Sequence, residues 1–290
     1  MFSWIRVISL TGFGEASVIR HLTQVKASAA SRRILMLYSL LLAILSVWGA
    51  TTTVRASTLF KGCNDGHITV GLDIGHSQFD PSATSATGIT EFTLNKRFAH
   101  ELSVMAAHRA RDVNAPRLFI HNPLGPQISL RERPTRIQER GGEALISLHH
   151  DSVKERHLDS YTINGRRHHY TPKIRGFSIF VSRSNPHFSE SFKLARLIGR
   201  SLLSAGRRPT DHHAEDIPGE RRELLDTEFG VYEAPFAVLI AARIPAVLIE
   251  LGVIVNRTEE RELSSTEVRA RTQTAILEAL TSYCAGKPVQ

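Results

Sequence analysis

Three apolar runs restrict what this chain can fold into more than any other feature. Val70-Gly71-Leu72-Asp73-Ile74-Gly75-His76, Ala144-Leu145-Ile146-Ser147-Leu148-His149 and Ala246-Val247-Leu248-Ile249-Glu250 each carry a β-like segment up to a residue able to bind a metal or move a proton. Runs of this length predict buried strands of an α/β sheet. In such sheets ligands collect beyond the carboxyl ends of the strands. Two histidines and a glutamate delivered to one sheet edge make a candidate hydrolytic metal site.

The segments between the runs alternate with them. His67–Asp73 reads as the first strand and residues 75–88 as a polar loop rich in turn formers. Glu91 then opens a helix whose apolar stripe is Leu94, Phe98, Leu102 and Met105. A strand at Arg117–His121 and a helix from Leu130 to Arg140 follow, the helix stopped by Gly141-Gly142. Further strands are predicted at Gly176–Ser182, Phe236–Ala241 and Pro245–Glu250, with a helix from Asn185-Pro186 to Ala205. Asn256-Arg257-Thr258-Glu259 and Ser264-Ser265-Thr266-Glu267 both fit a capping box, the second opening a final helix. Residues 151–175 and 206–230 read as polar, irregular segments. The expected fold is a single α/β domain: a twisted, mostly parallel or mixed sheet of about six strands, with helices on both faces.

Ile34–Ala50 contains no charged residue and follows Arg32-Arg33. It is shorter than the ~20 residues of a spanning helix. A basic flank, an apolar core and the small-residue pattern Val54-Arg55-Ala56 fit a secretory signal cleaved after Ala56. An uncleaved signal anchor fits as well, and either puts the remainder outside the cytoplasm, in the periplasm or cell envelope. Met1–Ala30 is long for the region before a signal core, which fits a start later than Met1. The expected division is therefore 1–56 as signal or anchor and 57–290 as the catalytic domain, with membrane contact only through the apolar run.

Six of the 36 basic and one of the 28 acidic residues lie in 1–56, leaving 30 against 27 and a net +3. That is too weak a field to argue for nucleic acid. The two cysteines, Cys63 and Cys284, stand at opposite ends of the exported part. In an oxidising compartment they could be bridged, and two unrelated thiols are the alternative.

A catalytic zinc usually takes three His or carboxylate ligands and keeps a fourth position for water. His76, Glu91 and His149 would supply that set, and Glu250, at the end of a strand that otherwise looks buried, would take up the proton of the water. Each residue also has an ordinary explanation. Either histidine could be a hydrogen-bonded loop residue, Glu91 could serve the helix dipole, and Glu250 could pair with an arginine. His168-His169 and His212-His213 read as solvated loop pairs.

The motifs go further than the spacing. Leu72-Asp73-Ile74-Gly75-His76, then Asp80-Pro81, Gly88, Glu91 and Asn95, resemble the opening of the zinc-dependent N-acetylmuramoyl-L-alanine amidases of the cell wall. Ser147-Leu148-His149-His150-Asp151, preceded by Arg133, and Pro245–Gly252 with Asn256 and Glu259-Glu260 resemble its later blocks, in the same order. The resemblance implies that His76, Glu91 and His149 bind Zn2+ and that Glu250 is the catalytic acid/base. It also implies hydrolysis of the amide between N-acetylmuramic acid and L-alanine in peptidoglycan, during wall remodelling or cell separation. Some members carry an inserted segment that blocks the zinc until a protein activator displaces it, and 151–175 and 206–230 are the segments without a family match. His150 stands where the family has a small residue, as a candidate lining residue. Leu251, Val253 and Arg257 depart from the family's Thr, aromatic and Pro. The rival readings are a zinc peptidase or deacylase acting on another amide, and a wall-binding or regulatory domain without turnover.

Overall fold

The computed structural model describes Cys63 and residues 67–110, 115–122, 128–163, 165–217 and 221–289. The apolar run Ile34–Ala50 and the expected boundary after Ala56 lie outside the described residues. Among the described residues, no helix is long and apolar enough to cross a membrane.

The apolar runs form the centre of the sheet. Strand β1 (Thr69–Ile74) pairs in parallel with β2 (Arg117–Ile120) on one side and β3 (Ala144–Asp151) on the other. β3 pairs in parallel with β9 (Ala246–Val253). Beyond β9 lie β6 (Ser178–Val181), antiparallel to it, then β8 (Val231–Glu233) and β7 (Leu224–Asp226), giving the order β2-β1-β3-β9-β6-β8-β7. Seven strands stand beside the expected about six: β7 and β8, three residues each, are too short to show a period, and the run expected at Phe236–Ala241 is not a strand.

Alternation along the central strands sends side chains to two cores. Val70, Leu72, Ile74, Ile146, Leu148, Val247 and Ile249 share one with α1 (Glu91–Arg109), α3 (Phe188–Ser204) and α6 (Thr266–Cys284). Leu145, Ala246 and Leu248 share the other with α2 (Glu132–Glu139) and α4 (Ala237–Ala241). Burial on both faces explains why these strands are apolar at nearly every position. Each fully buried Val, Leu or Ile contributes roughly 1.5–3 kcal/mol.

Two sequence expectations fail here. Phe236–Ala241 is the short helix α4, not a strand: an apolar run of six residues does not distinguish a strand from one helical turn packed on a core. Residues 151–175 are not simply irregular, since β4 (Asp159–Ile163) and β5 (Arg166–Tyr170) make an antiparallel hairpin. The Arg257 guanidinium lies 3.6 Å from the Tyr161 ring centre and 4.6 Å from that of Tyr170. Where the family has proline, this chain has a cation holding its hairpin.

Asn256 caps α5 (Arg257–Ser264), accepting from the amides of Thr258 and Glu259. The second expected capping box does not form: Ser265 is the cap of α6 and makes no side-chain cap bond. Glu259 is buried and accepts from Gly176 N (2.7 Å), Val253 N (3.0 Å) and Arg207 Nη2 (2.7 Å). Cys63 and Cys284 form a disulfide.

Candidate metal centre

The site begins where β1 ends. Gly75 N donates to Leu148 O (3.0 Å), drawing the turn against β3. A Cβ on Gly75 would stand 2.4 Å from His149 Cε1, so only glycine leaves room for that imidazole. His76 follows with φ +66°, a left-handed conformation that costs a side-chain-bearing residue of order 1 kcal/mol or more. Arg133 of α2 clamps the strained turn. Its Nη1 donates to Asp73 Oδ1 (3.1 Å) and Ile74 O (3.2 Å), and its Nη2 to His76 O (3.2 Å). The second Asp73 oxygen accepts from Ser147 Oγ (2.8 Å). Asp73 and Arg133 are both buried, so the D-x-G-H end of β1 is a charged, fully bonded scaffold for His76.

Glu91 is the first residue of α1, and its carboxylate joins the two histidines. His76 Nε2 lies 3.1 Å from Oε2, and His149 Nδ1 lies 3.0 Å from Oε1. Asn95, one turn along α1, donates to Glu91 Oε1 (3.2 Å) and to Gly75 O (3.2 Å), and His150 N donates to the same Oε1 (3.3 Å). Burial acts to raise the Glu91 pKa, but hydrogen bonds and charge from His149 and His76 outweigh it and hold the carboxylate far below the usual 4.5. His150 does not line the site. Strand alternation turns it to the other face, where its Nδ1 donates to Asn95 Oδ1 (2.7 Å), and burial pushes its pKa down to about 3. It is a neutral strut behind the first helical turn.

Glu250 lies within β9 rather than at its end, as the Cα partner of His149 across the β3–β9 pair. Parallel partners in register present side chains on one face, so Glu250 shares the face of His149. Its Oε2 is buried and accepts no hydrogen bond. Burial first, then the charges of Asp151 and Glu91, push its carboxyl well above 4.5. The structure therefore gathers His76, Glu91 and His149 into one group of converging ligand atoms and leaves Glu250 beside it, unpaired. Among the described residues, no fourth His, Cys, Asp or Glu atom joins the group. The expectation that His212 and His213 are solvated fails, because both contact the buried carboxylate of Asp151. His169 is exposed as expected, whereas His168 is half-buried and stacked on Tyr161.

Residues 70–282 match the family described as N-acetylmuramoyl-L-alanine amidase. The chain belongs to this amidase family. Membership makes it a hydrolase of the peptidoglycan amide between N-acetylmuramic acid and L-alanine, in a family whose cell-wall enzymes act in the envelope. The chain is similar to a putative amidase of Buchnera aphidicola subsp. Acyrthosiphon pisum, with 24% identity over 243 residues, 74% of this chain and 94% of that one. It is also similar to amidase AmiA of Escherichia coli, with 24% identity over 280 residues, 83% of this chain and 88% of the relative. The probable amidase AmiB of Haemophilus influenzae is 26% identical over 76% of this chain, which spans only 53% of that relative's length. Among solved structures, the amidase of Clostridium difficile 630 superposes with TM-score 0.57 at 20% identity, covering 76% of this chain and 98% of its own. The catalytic domain of CwlV from Paenibacillus polymyxa gives 0.56 at 18%, covering 76% and 99%, so the amidase fold is shared.

Proposed function

We propose that His76, Glu91 and His149 hold a zinc ion and that Glu250 is the acid/base of amide hydrolysis. The single observation that carries the reading is the convergence of two imidazole nitrogens on one carboxylate, at 3.1 and 3.0 Å. Tetrahedral zinc with bonds near 2.0–2.2 Å spaces its ligand atoms by about 3.3–3.6 Å, a little wider than the separations here, so a small opening of the group would admit the ion. Two histidines and one glutamate are also a donor set typical of hydrolytic zinc. When bound, zinc lowers the pKa of a coordinated water and polarises a carbonyl.

The residues of the chain supply the rest. Asn95 and the His150 amide fix the Glu91 carboxylate, and Arg133 fixes the turn that presents His76. The unpaired Glu250 carboxylate has a raised proton affinity, suited to accepting a proton from the attacking water. It then delivers that proton to the leaving amine of L-alanine, releasing the stem peptide. Segments 151–175 and 206–230 meet beside the site through Asp151, His212 and His213, and are the surfaces through which a protein activator would act. The position of the enzyme in the periplasm, delivered by the N-terminal apolar run, belongs to the same proposal.

The test is digestion of purified sacculi beside metal analysis. Wild type should release intact stem peptides, whereas His76→Ala should release none and hold one zinc fewer than wild type. Zinc retained at full stoichiometry in His76→Ala would refute the ligand assignment. Release of peptide fragments cut within the stem would instead favour the peptidase reading.

A further inference from the structure

Asp151, the residue two beyond His149 on β3, is buried, yet it is bonded to two histidines from a distant segment. His213 Nε2 lies 2.9 Å and His212 Nε2 3.2 Å from the same oxygen, Asp151 Oδ2. The two imidazoles come from a one-turn 3-10 helix, His212–Ala214, with ring centres 3.9 Å apart. The ligand atoms of all three residues lie within 4.8 Å of one another.

The two contacts are within ion-pair distance but are not equivalent. His213 Nε2 makes a hydrogen bond to Asp151, but His212 Nε2 is buried and meets the carboxylate without hydrogen-bond geometry. The other nitrogen of His212, Nδ1, is 3.0 Å from Thr210 Oγ1. With Nδ1–H donating there, the Nε2 lone pair faces the Asp151 oxygen. In that tautomer a cation between the two would take a lone pair from each. A metal-bound histidine characteristically donates its outer N–H to such a neighbouring oxygen. One side of the group is aromatic: the His213 ring packs edge-on to Phe180 (5.0 Å) and Tyr232 (5.6 Å). Tyr232 Oη donates to Thr210 O (2.6 Å), fixing the segment that carries both histidines. A groove lined by Ser152, Lys154, His157, His212, His213 and Glu215 gives an ion access from solvent.

We infer that Asp151, His212 and His213 form a second divalent-metal site, of the zinc class, separate from the His76–Glu91–His149 group. Two imidazoles and one carboxylate suit zinc and its neighbours rather than calcium or magnesium, which take oxygen. The bound ion cross-links β3 to the segment following α3, so its role is to hold that segment against the sheet.

The experiment measures zinc per chain by mass spectrometry of the full-length protein after zinc loading and gel filtration. It compares wild type, the double variant His212→Ala/His213→Ala, the milder Asp151→Asn, and His76→Ala. Two zinc ions are expected in wild type. The double variant should fall to one, Asp151→Asn should lose at least tenfold in affinity for the second ion, and His76→Ala should keep that ion. Limited proteolysis should cut residues 206–217 at least tenfold faster in the double variant than in zinc-loaded wild type. One zinc in wild type that the double variant retains, or two that it retains, overturns the inference. Should His76→Ala remove no zinc while the double variant removes one, the second site stands and the catalytic reading falls. If the double variant does not fold, the zinc affinity of Asp151→Asn decides alone.

Discussion

His149 on β3 and Glu250 on β9 are register partners of neighbouring parallel strands, with both side chains on one face. The relative position of proposed ligand and proton carrier is therefore set by backbone pairing in the middle of the sheet. A slip of one residue would send one of the two to the opposite core.

Glu250→Gln separates chemistry from architecture. The amide is nearly isosteric but cannot carry the proton, so turnover of sacculi should fall by about 10²–10⁴-fold. Zinc content and binding to sacculi should stay as in wild type. Turnover within threefold of wild type would remove Glu250 from the mechanism.

In the metal-free protein Glu91 and Glu250 should respond oppositely to pH. The Glu91 pKa is depressed in the fold, so its contribution is present above the unfolded value near 4.5 and is lost as pH falls through its folded value. The Glu250 pKa is raised, so its contribution is complete below 4.5 and is lost as pH rises through its folded value. Chelated Glu250→Gln should thus gain stability over chelated wild type as pH rises from 4.5. Denaturant midpoints between pH 4 and 8 that run parallel for the two proteins would contradict this.

Gly75→Ala should disable the site without touching a reactive group. The new methyl would meet three atoms of the His149 ring at 2.4–2.6 Å, a ring tied to Glu91 Oε1 at 3.0 Å. Overpacking of this kind costs typically 1–3 kcal/mol. Zinc affinity should fall at least tenfold. Gly142 serves as a comparison away from the site, since the nearest atoms its substitution would crowd are the side chain and carbonyl of Ile137. Equal zinc affinity in Gly75→Ala and wild type would show that the ring can move aside.

Arg133→Met leaves Asp73 charged and buried among Ser147 and backbone carbonyls. Breaking one half of a buried pair costs roughly 3–5 kcal/mol. Denaturant unfolding should show a loss of that size, and Asp73→Asn in the same chain should recover part of it. No recovery in the double variant would mean that the Arg133 bonds to Ile74 O and His76 O matter more than the charge pair.

Much of the site was readable along the chain because it is built from strands buried on both faces, and such strands leave uninterrupted apolar runs. Glu91 was readable from the helix it opens and from the family motif. Gly75 was visible as a motif letter, but its reason, the ring of His149, lies 74 positions away. The Asp151–His212–His213 group could not be read at all. The polar segment bearing the histidines has no period, and its burial comes from Phe180 and Tyr232, on other strands. Arg257 looked like a defect against the family pattern until the hairpin it stacks on was seen.

The Cys63–Cys284 bridge spans a sequence separation of 221, and His76, Glu91, His149 and Glu250 all fall inside the loop it closes. The catalytic unit is thus a covalent ring. A single protease cut at any point in that loop would leave the two fragments joined, with the proposed ligands and the proton carrier still on one molecule. Nicked enzyme should run as an intact chain on non-reducing gels and fall into two pieces only on reduction.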